Sequence, residues 1–188
     1  MFKIKLLLIA GASILFGNAI AQTGKPAYSG FINAGAMFGS NDTKIHAQTI
    51  HGLKMNGWFG GMGVAVDDYF FQSFPVFVDF RKEILNKANT PFVYADGGMN
   101  MVRKDMKETH MRIDNKPGIF YEGGVGYKMG LHNRMGLNFS AGYSFKAYTE
   151  ETYTRTYNPS GGLTEEWINS KTNKYALKRL ALKVGLEF

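Results

Sequence analysis

Apolar and polar residues alternate with a period of two along most of the chain. In residues 134–147 one parity runs through Met135, Leu137, Phe139, Ala141, Tyr143, Phe145 and Ala147, and the other carries Arg, Gly, Asn, Ser and Lys. Because successive side chains of a strand point to opposite faces, this pattern predicts a strand with one apolar and one polar face. Residues 118–129 and 175–188 repeat the design.

The same period predicts five more strands, at residues 28–38, 44–54, 58–68, 73–83 and 91–101. The second is the least regular, because His46, Gln48, Thr49 and His51 interrupt its faces. The predicted connections alternate between short turns at 54–57, 85–90 and 130–133 and segments at 39–43, 69–72, 102–117 and 148–173, two of which are long. Eight strands joined in this way predict an all-β fold, an eight-stranded antiparallel up-and-down barrel.

The composition of the two faces decides which one meets water. A soluble barrel, which stays an alternative, places large aliphatic residues inside and charge outside. Here the polar face is rich in small residues, and the apolar face of the last three strands has almost no charge over about ten residues, the length of a tilted transmembrane strand. The pattern therefore favours a transmembrane barrel with its apolar face toward lipid.

The predicted inward face carries charges of both signs. They are Asp67, Asp79, Arg81, Asp96, Glu122, Lys128, Arg134, Lys146, Arg179, Lys183 and Glu187. The interior of an eight-stranded barrel is only wide enough to be filled by side chains, and unpaired buried charges are costly there. We therefore expect these residues to form a network of ion pairs in a filled polar lumen.

The first 21 residues have the order of a secretory signal peptide. Lys3 and Lys5 precede an apolar stretch at residues 6–16, and Ala19-Ile20-Ala21 follows. This order predicts cleavage before Gln22, which leaves residues 22–188 as one domain.

Composition excludes several classes of protein. No later apolar run approaches the 18 or so residues of a membrane-spanning helix, which excludes a helical bundle. The absence of Cys excludes disulfide scaffolds, zinc–thiolate sites and lipid attachment after the signal. The formal net charge is +7, two units of which lie on Lys3 and Lys5, and the remainder is too dispersed to indicate nucleic acid as a partner.

With these features the chain resembles the small eight-stranded outer-membrane β-barrel proteins, such as OmpX and the transmembrane domain of OmpA. The resemblance rests on the signal segment, on Gly-aromatic strands such as residues 60–64 and 123–127, and on a final strand that ends in Phe188. It implies residence in the outer membrane of a Gram-negative bacterium, among outer-membrane lipids and lipopolysaccharide. It also implies that Phe188 is the signal recognised by the barrel assembly machinery.

Candidate chemistry is sparse. Ser40, Asp42 and His46 lie close together in sequence near an external rim, but residues 39–43 have the composition of an ordinary hairpin turn. The His and carboxylate spacings match no metal site. We therefore expect no enzyme activity, cofactor or metal.

The external segments offer more. The segment at 102–117 carries an excess of cations that suits either lipopolysaccharide phosphates or simple solvation. Residues 149–172 are rich in Thr and Tyr and contain a Pro-Ser-Gly-Gly turn, so strands seven and eight are predicted to project as a ribbon, with a flexible loop as the alternative. Aromatic residues including Trp58, Phe92, Tyr121, Tyr127 and Tyr148 are predicted to form interfacial belts. The expected role is structural or surface-binding toward an external protein ligand; a small channel and a lipid-modifying enzyme are the alternatives.

Overall fold

The structure is a computed structural model that describes residues 25–39, 42–68, 72–102, 106–107, 111–131, 135–156 and 166–188. The predicted signal segment, Ser40 and Arg134 lie outside the described residues. In the described ranges, no helix is long and apolar enough to cross a membrane.

The described residues form ten strands. They are β1 (Ala27–Phe38), β2 (Thr43–Met55), β3 (Trp58–Asp68), β4 (Gln72–Glu83), β5 (Thr90–Val102), β6 (Met106–Lys107), β7 (Met111–Lys116), β8 (Gly118–Gly130), β9 (Gly136–Thr156) and β10 (Glu166–Glu187). The eight predicted strands correspond to β1–β5 and β8–β10. The segment at 102–117, predicted to be a loop, contains β6 and β7 instead.

Eight of the strands close into a ring. Each of β1, β2, β3, β4, β5, β8, β9 and β10 pairs antiparallel with the next, and β10 pairs with β1. At the seam the backbones of Gly30 and Phe188 exchange two hydrogen bonds, of 2.8 and 2.9 Å. The predicted antiparallel up-and-down barrel is confirmed.

The two faces of the strands have the predicted orientation. Large apolar residues such as Met62, Val125 and Leu180 are between half and two thirds exposed on the outer surface, whereas Asp79, Ser144 and Ala181 of the other parity are buried. Strand β2 is regular despite its sequence because its polar residues have partners. His46 and Gln48 contact each other inside the barrel, and His51 lies outside between Tyr28 and Thr49.

The barrel interior differs from the purely polar lumen that we expected. A cluster of apolar side chains lies among the charges, formed by Phe31, Ile50, Phe59, Ala65, Phe77 and Phe120. Glycine makes room for these rings: a Cβ on Gly63 would lie 2.6 Å from the ring of Phe77. Phe92 and Tyr148, predicted as belt residues, are also buried, whereas Trp58, Tyr121 and Tyr127 lie outside.

The connections define two ends of the barrel. One end has short turns, including Asn56 and Gly57 with φ of 51° and 75°, the left-handed pair that a two-residue hairpin requires. At the other end, β7 precedes β8, separated from it by Pro117, and pairs with β9, which also pairs with β10. These three strands form a sheet beyond the ring, here called the external sheet: residues 111–116 of β7, 149–156 of β9 and 166–177 of β10. The two-residue strand β6 pairs with the other side of β7.

Candidate functional site

The predicted charge network maps onto the barrel interior. Ten of its eleven residues have inward-facing positions, and the eleventh, Arg134, lies outside the described residues. Nine of these ten fall into four groups, each held by a different set of strands, and Arg179 lies at the external rim. The first group lies toward the external end, the second and third are neighbours in the same rows of the sheet, and the fourth lies at the end with short turns.

The first group surrounds Asp67 of β3. Its carboxylate, fully buried, contacts both Lys146 Nζ and His46 Nδ1. His46 Nε2 also lies 2.8 Å from Gln48 Oε1, and Lys146 lies 5.2 Å from the centroid of the Phe120 ring. His46 and Gln48 were absent from the predicted network, although their even parity on β2 indicates the inward face.

The second group is centred on Glu122 of β8. Lys183 donates to Glu122 Oε1, and the Tyr94 hydroxyl donates to the same oxygen at 2.9 Å. The ammonium of Lys183 also lies 4.7 Å from the centre of the Tyr94 ring. The cation is thus enclosed by a carboxylate and an aromatic face, which compensates its burial.

The third group contains Asp79, Arg81 and Asp96. Arg81 donates to both oxygens of Asp79 at 2.8–3.0 Å, and its guanidinium lies 4.1 Å from the centroid of Phe31. Asp96 is directly opposite Asp79 on one side and Glu122 on the other. It is 4% exposed, and neither of its oxygens has a hydrogen-bond partner in the described part of the chain.

The fourth group closes the end with short turns. Lys54 lies 2.6 Å from both Glu83 and Glu187, and Lys128 lies 3.2 and 2.9 Å from the same two residues. Two lysines and two glutamates from four different strands therefore form one network, in which each lysine contacts both glutamates. Lys54 and Glu83 were missing from the predicted network, although they are the last residues of the predicted strands 44–54 and 73–83.

At the external rim, Arg179 contacts Asp42 at 2.7 Å, and Lys44 lies 3.9 Å from the same carboxylate. Asp42 is thus engaged with cations, while His46 is buried against Asp67 in the lumen. Ser40, the third residue of the possible catalytic set, lies outside the described residues. Among the residues that the structure describes, no group of three or more His or acidic residues is placed to hold a metal ion.

The external sheet is stabilised by polar and aromatic pairs. Lys116 donates to Glu151 at 2.6 Å, and the Tyr153 hydroxyl donates to the same carboxylate at 2.7 Å. These two hydrogen bonds lower the pKa of Glu151, and the bond with Glu151 raises the pKa of Lys116. Closer to the barrel, Tyr148 and Tyr175 stack with ring centroids 4.7 Å apart.

One edge of this sheet has no strand beside it in the described ranges. Strand β1 ends opposite Leu180, whereas β10 begins at Glu166. In an antiparallel ladder, every second residue of a strand directs its backbone N–H and C=O groups toward the same neighbouring strand. Phe188 exchanges two backbone hydrogen bonds with Gly30 of β1, so the even-numbered residues of β10 direct their backbone groups toward β1. Beyond the end of β1, the same alternation directs the backbone groups of Lys174, Ala176 and Lys178 toward the free edge.

A closed antiparallel ring with an apolar exterior and a packed, ion-paired interior defines the eight-stranded transmembrane β-barrel of small outer-membrane proteins. The crystal structure of Neisserial surface protein A is similar, with a TM-score of 0.56 and 11% identity over 87% of this chain and 97% of that one. The solid-state NMR structure of the outer membrane protein AlkL in lipid bilayers gives a TM-score of 0.52 and 12% identity over 89% and 92% of the two chains. At these identities the likeness establishes the fold. No protein-family model matches the sequence, and no curated protein matches it significantly.

Proposed function

We propose that the protein is an outer-membrane barrel that displays the external sheet as a binding surface, with an adhesin-like role toward an external protein ligand. Residues 1–21 direct export and are removed, and the barrel assembly machinery of a Gram-negative bacterium inserts the chain through its last strand, which ends in Phe188. The protein has no catalytic role.

The free edge of β10 is the observation that carries this proposal. Unpaired backbone N–H and C=O groups at the edge of a sheet are a template for an additional strand. In the described ranges this edge presents the backbone groups of Lys174, Ala176 and Lys178, directly beyond the barrel seam. It is supported by its pairing with β9, and β9 is itself covered by β7 on its other side. An incoming strand would therefore add to a sheet that is already formed by β10, β9 and β7.

The packed lumen supports a binding role over a small channel. Arg81 and Asp79 pair within β4, Lys183 and Glu122 pair across strands, and aromatic rings fill the space between the pairs. The packed interior thus makes the barrel rigid, and the barrel holds the external sheet at a fixed position relative to the membrane.

Location is tested by fractionation of cells that express the full chain. The outer-membrane proposal predicts recovery in that fraction, loss of residues 1–21, and migration on gels that changes when the sample is heated, as for folded barrels. Recovery in the soluble periplasmic fraction would contradict the proposal.

The binding role is tested on cells that display the protein. Replacing residues 151–172 by Asn-Gly joins the directly paired residues Glu150 and Asn173 and removes most of the sheet. Ala176→Pro removes only one edge N–H, since this backbone group faces away from β9. Both variants should lose adherence to epithelial monolayers, while Ala176→Ser, which keeps the donor, should adhere normally.

All variants must first show heat-modifiable migration, so that only folded barrels are compared. Normal adherence of the shortened variant would contradict a binding role for the sheet. Normal adherence of Ala176→Pro alone would contradict strand addition at this edge.

A further inference from the structure

Two lysines extend the lipid-facing surface of β10 beyond its apolar residues. Leu180, Leu182, Val184 and Leu186 are exposed on the outer face of this strand. With a period of two, the next positions on that face are Lys178, Ala176 and Lys174, which are all exposed. The opposite face carries Asn173 and Tyr175, whose side chains contact Glu150.

The neighbours of Lys178 place it at the edge of the membrane. It is directly opposite Phe145 of β9, and the Phe145 ring stacks on Tyr121 of β8 with centroids 4.7 Å apart. Outward-facing aromatic rings of this kind lie at headgroup level in barrel proteins. Lys174 is four residues farther along the strand, about 13 Å from Lys178, and the tilt of the strand reduces its additional height above the membrane.

These two ammonium groups differ from Arg112, Lys116 and Arg179, which lie near the same end. In the described part of the chain neither Lys174 nor Lys178 has a carboxylate within ion-pair distance, whereas Lys116 is paired with Glu151, Arg112 with Asp114 and Arg179 with Asp42. Arg112 and Lys116 of segment 102–117 are thus engaged within the protein. An unpaired cation at headgroup level attracts anionic lipid groups.

We propose that Lys174 and Lys178 bind the phosphates of lipid A in the outer leaflet. This inference rests on the outer-membrane location proposed above, but it is independent of the adhesin-like role. Ammonium–phosphate contacts are charge-assisted and strong, and two of them on one lipid-facing strand would hold a bisphosphorylated lipid against β10. A lipid bound at this site would lie directly beside the external sheet.

The test is a titration of the refolded chain, from residue 22 onward, in maltoside micelles. Bisphosphorylated lipid A is the probe, and microscale thermophoresis measures its affinity. The double variant Lys174→Gln/Lys178→Gln should bind about 30-fold more weakly, as expected for two lysines at a membrane surface. The double arginine variant should bind like the unaltered protein.

Lys171→Gln is the matched control, because Lys171 is exposed on the same strand, but its odd parity with Asn173 and Tyr175 places it on the other face of the sheet. It should leave the affinity unchanged. Fully dephosphorylated lipid A should bind the unaltered protein as weakly as bisphosphorylated lipid A binds the double glutamine variant.

Three results would overturn the site: equal affinity of the double glutamine variant, equal binding of dephosphorylated lipid A, or full competition by phosphatidylglycerol. Failure of the outer-membrane location is detected separately, by cell fractionation. Heat-modifiable migration of each variant ensures that a loss of binding reports the lysines and not the fold.

Discussion

Substituting Asp96 by Asn should stabilise the barrel, although it alters a buried residue. Asp96 stands directly between Asp79 and Glu122 on neighbouring strands, and directly opposite side chains have Cβ atoms about 5 Å apart. Arg81 engages Asp79, and Lys183 engages one oxygen of Glu122, whereas Asp96 has no hydrogen-bond partner in the described part of the chain.

The magnitude follows from this arrangement. A buried carboxyl group whose oxygens accept no hydrogen bond costs about 1–3 kcal/mol, and when it is ionised the carboxylates directly opposite add repulsion. Asparagine keeps the shape of the side chain, removes the charge and introduces an Nδ2 donor toward Glu122 Oε2, which also has no hydrogen-bond partner among the described residues. We therefore expect Asp96→Asn to raise the free energy of unfolding by about 1–3 kcal/mol.

Urea unfolding of the refolded barrel in lipid micelles measures this change as a shift of the midpoint at constant slope. Asp79→Asn is the matched control, since it is the same change on the adjacent strand but removes the bidentate partner of buried Arg81. It should lower the free energy of unfolding by about 3 kcal/mol, and by more in the Asp96→Asn background, where the Asp96 carboxyl group near Arg81 is missing as well. A loss of stability in Asp96→Asn would refute the reasoning.

Three further predictions concern other parts of the molecule. Gly57→Ala should lower the free energy of unfolding by about 1 kcal/mol in urea, because φ at this turn is 75°; Gly57→Asn should cost less, and equal costs would contradict the explanation. The Lys116–Glu151 pair stabilises the external sheet while Glu151 is ionised, and the pKa of Glu151 is lowered in the folded protein. The stabilisation is therefore fully present above the ordinary pKa of Glu and is lost as the pH falls through the folded pKa of Glu151. Hydrogen exchange of residues 111–116 should therefore accelerate in acid relative to Glu151→Gln, and parallel pH profiles of the two proteins would argue against the pair. Phe188→Ala should reduce the amount of folded barrel in the outer membrane of cells. The urea midpoint of the refolded protein should be nearly unchanged, since the backbone hydrogen bonds to Gly30 remain. Undiminished assembly in cells would refute the role of Phe188 as an assembly signal.

Sequence periodicity predicted the faces of the strands because lipid on one side and a narrow interior on the other act on every second residue. In β9, for example, Phe139 and Tyr143 face outward while Asn138 and Ser144 are buried. The errors came where residue type was given more weight than parity. Tyr148 has the even parity of Lys146 in β9, and Phe92 has that of Tyr94 in β5, so both aromatic side chains are buried in the structure.

Beyond the barrel, periodicity weakens because water reaches both faces of the sheet. Strand β7 was therefore missed, and Pro117 further obscured its continuity with β8. Partners within the lumen were also beyond sequence analysis. Periodicity places Lys54 and Glu187 on inward faces, but their contact depends on the closure of the ring and on the register at the seam.

The lengths of the strand pairings have a consequence for the order of folding. Strand β10 pairs with β9 along nearly all of its length, but with β1 only from Glu187 to Leu180. The β9–β10 hairpin joins segments that are close in sequence, so its loop-closure entropy is small, whereas the seam joins the two ends of the chain. The hairpin can therefore form early as a local unit, and the short seam forms last. During insertion, the seam is also where the sheet opens at the lowest cost in hydrogen bonds.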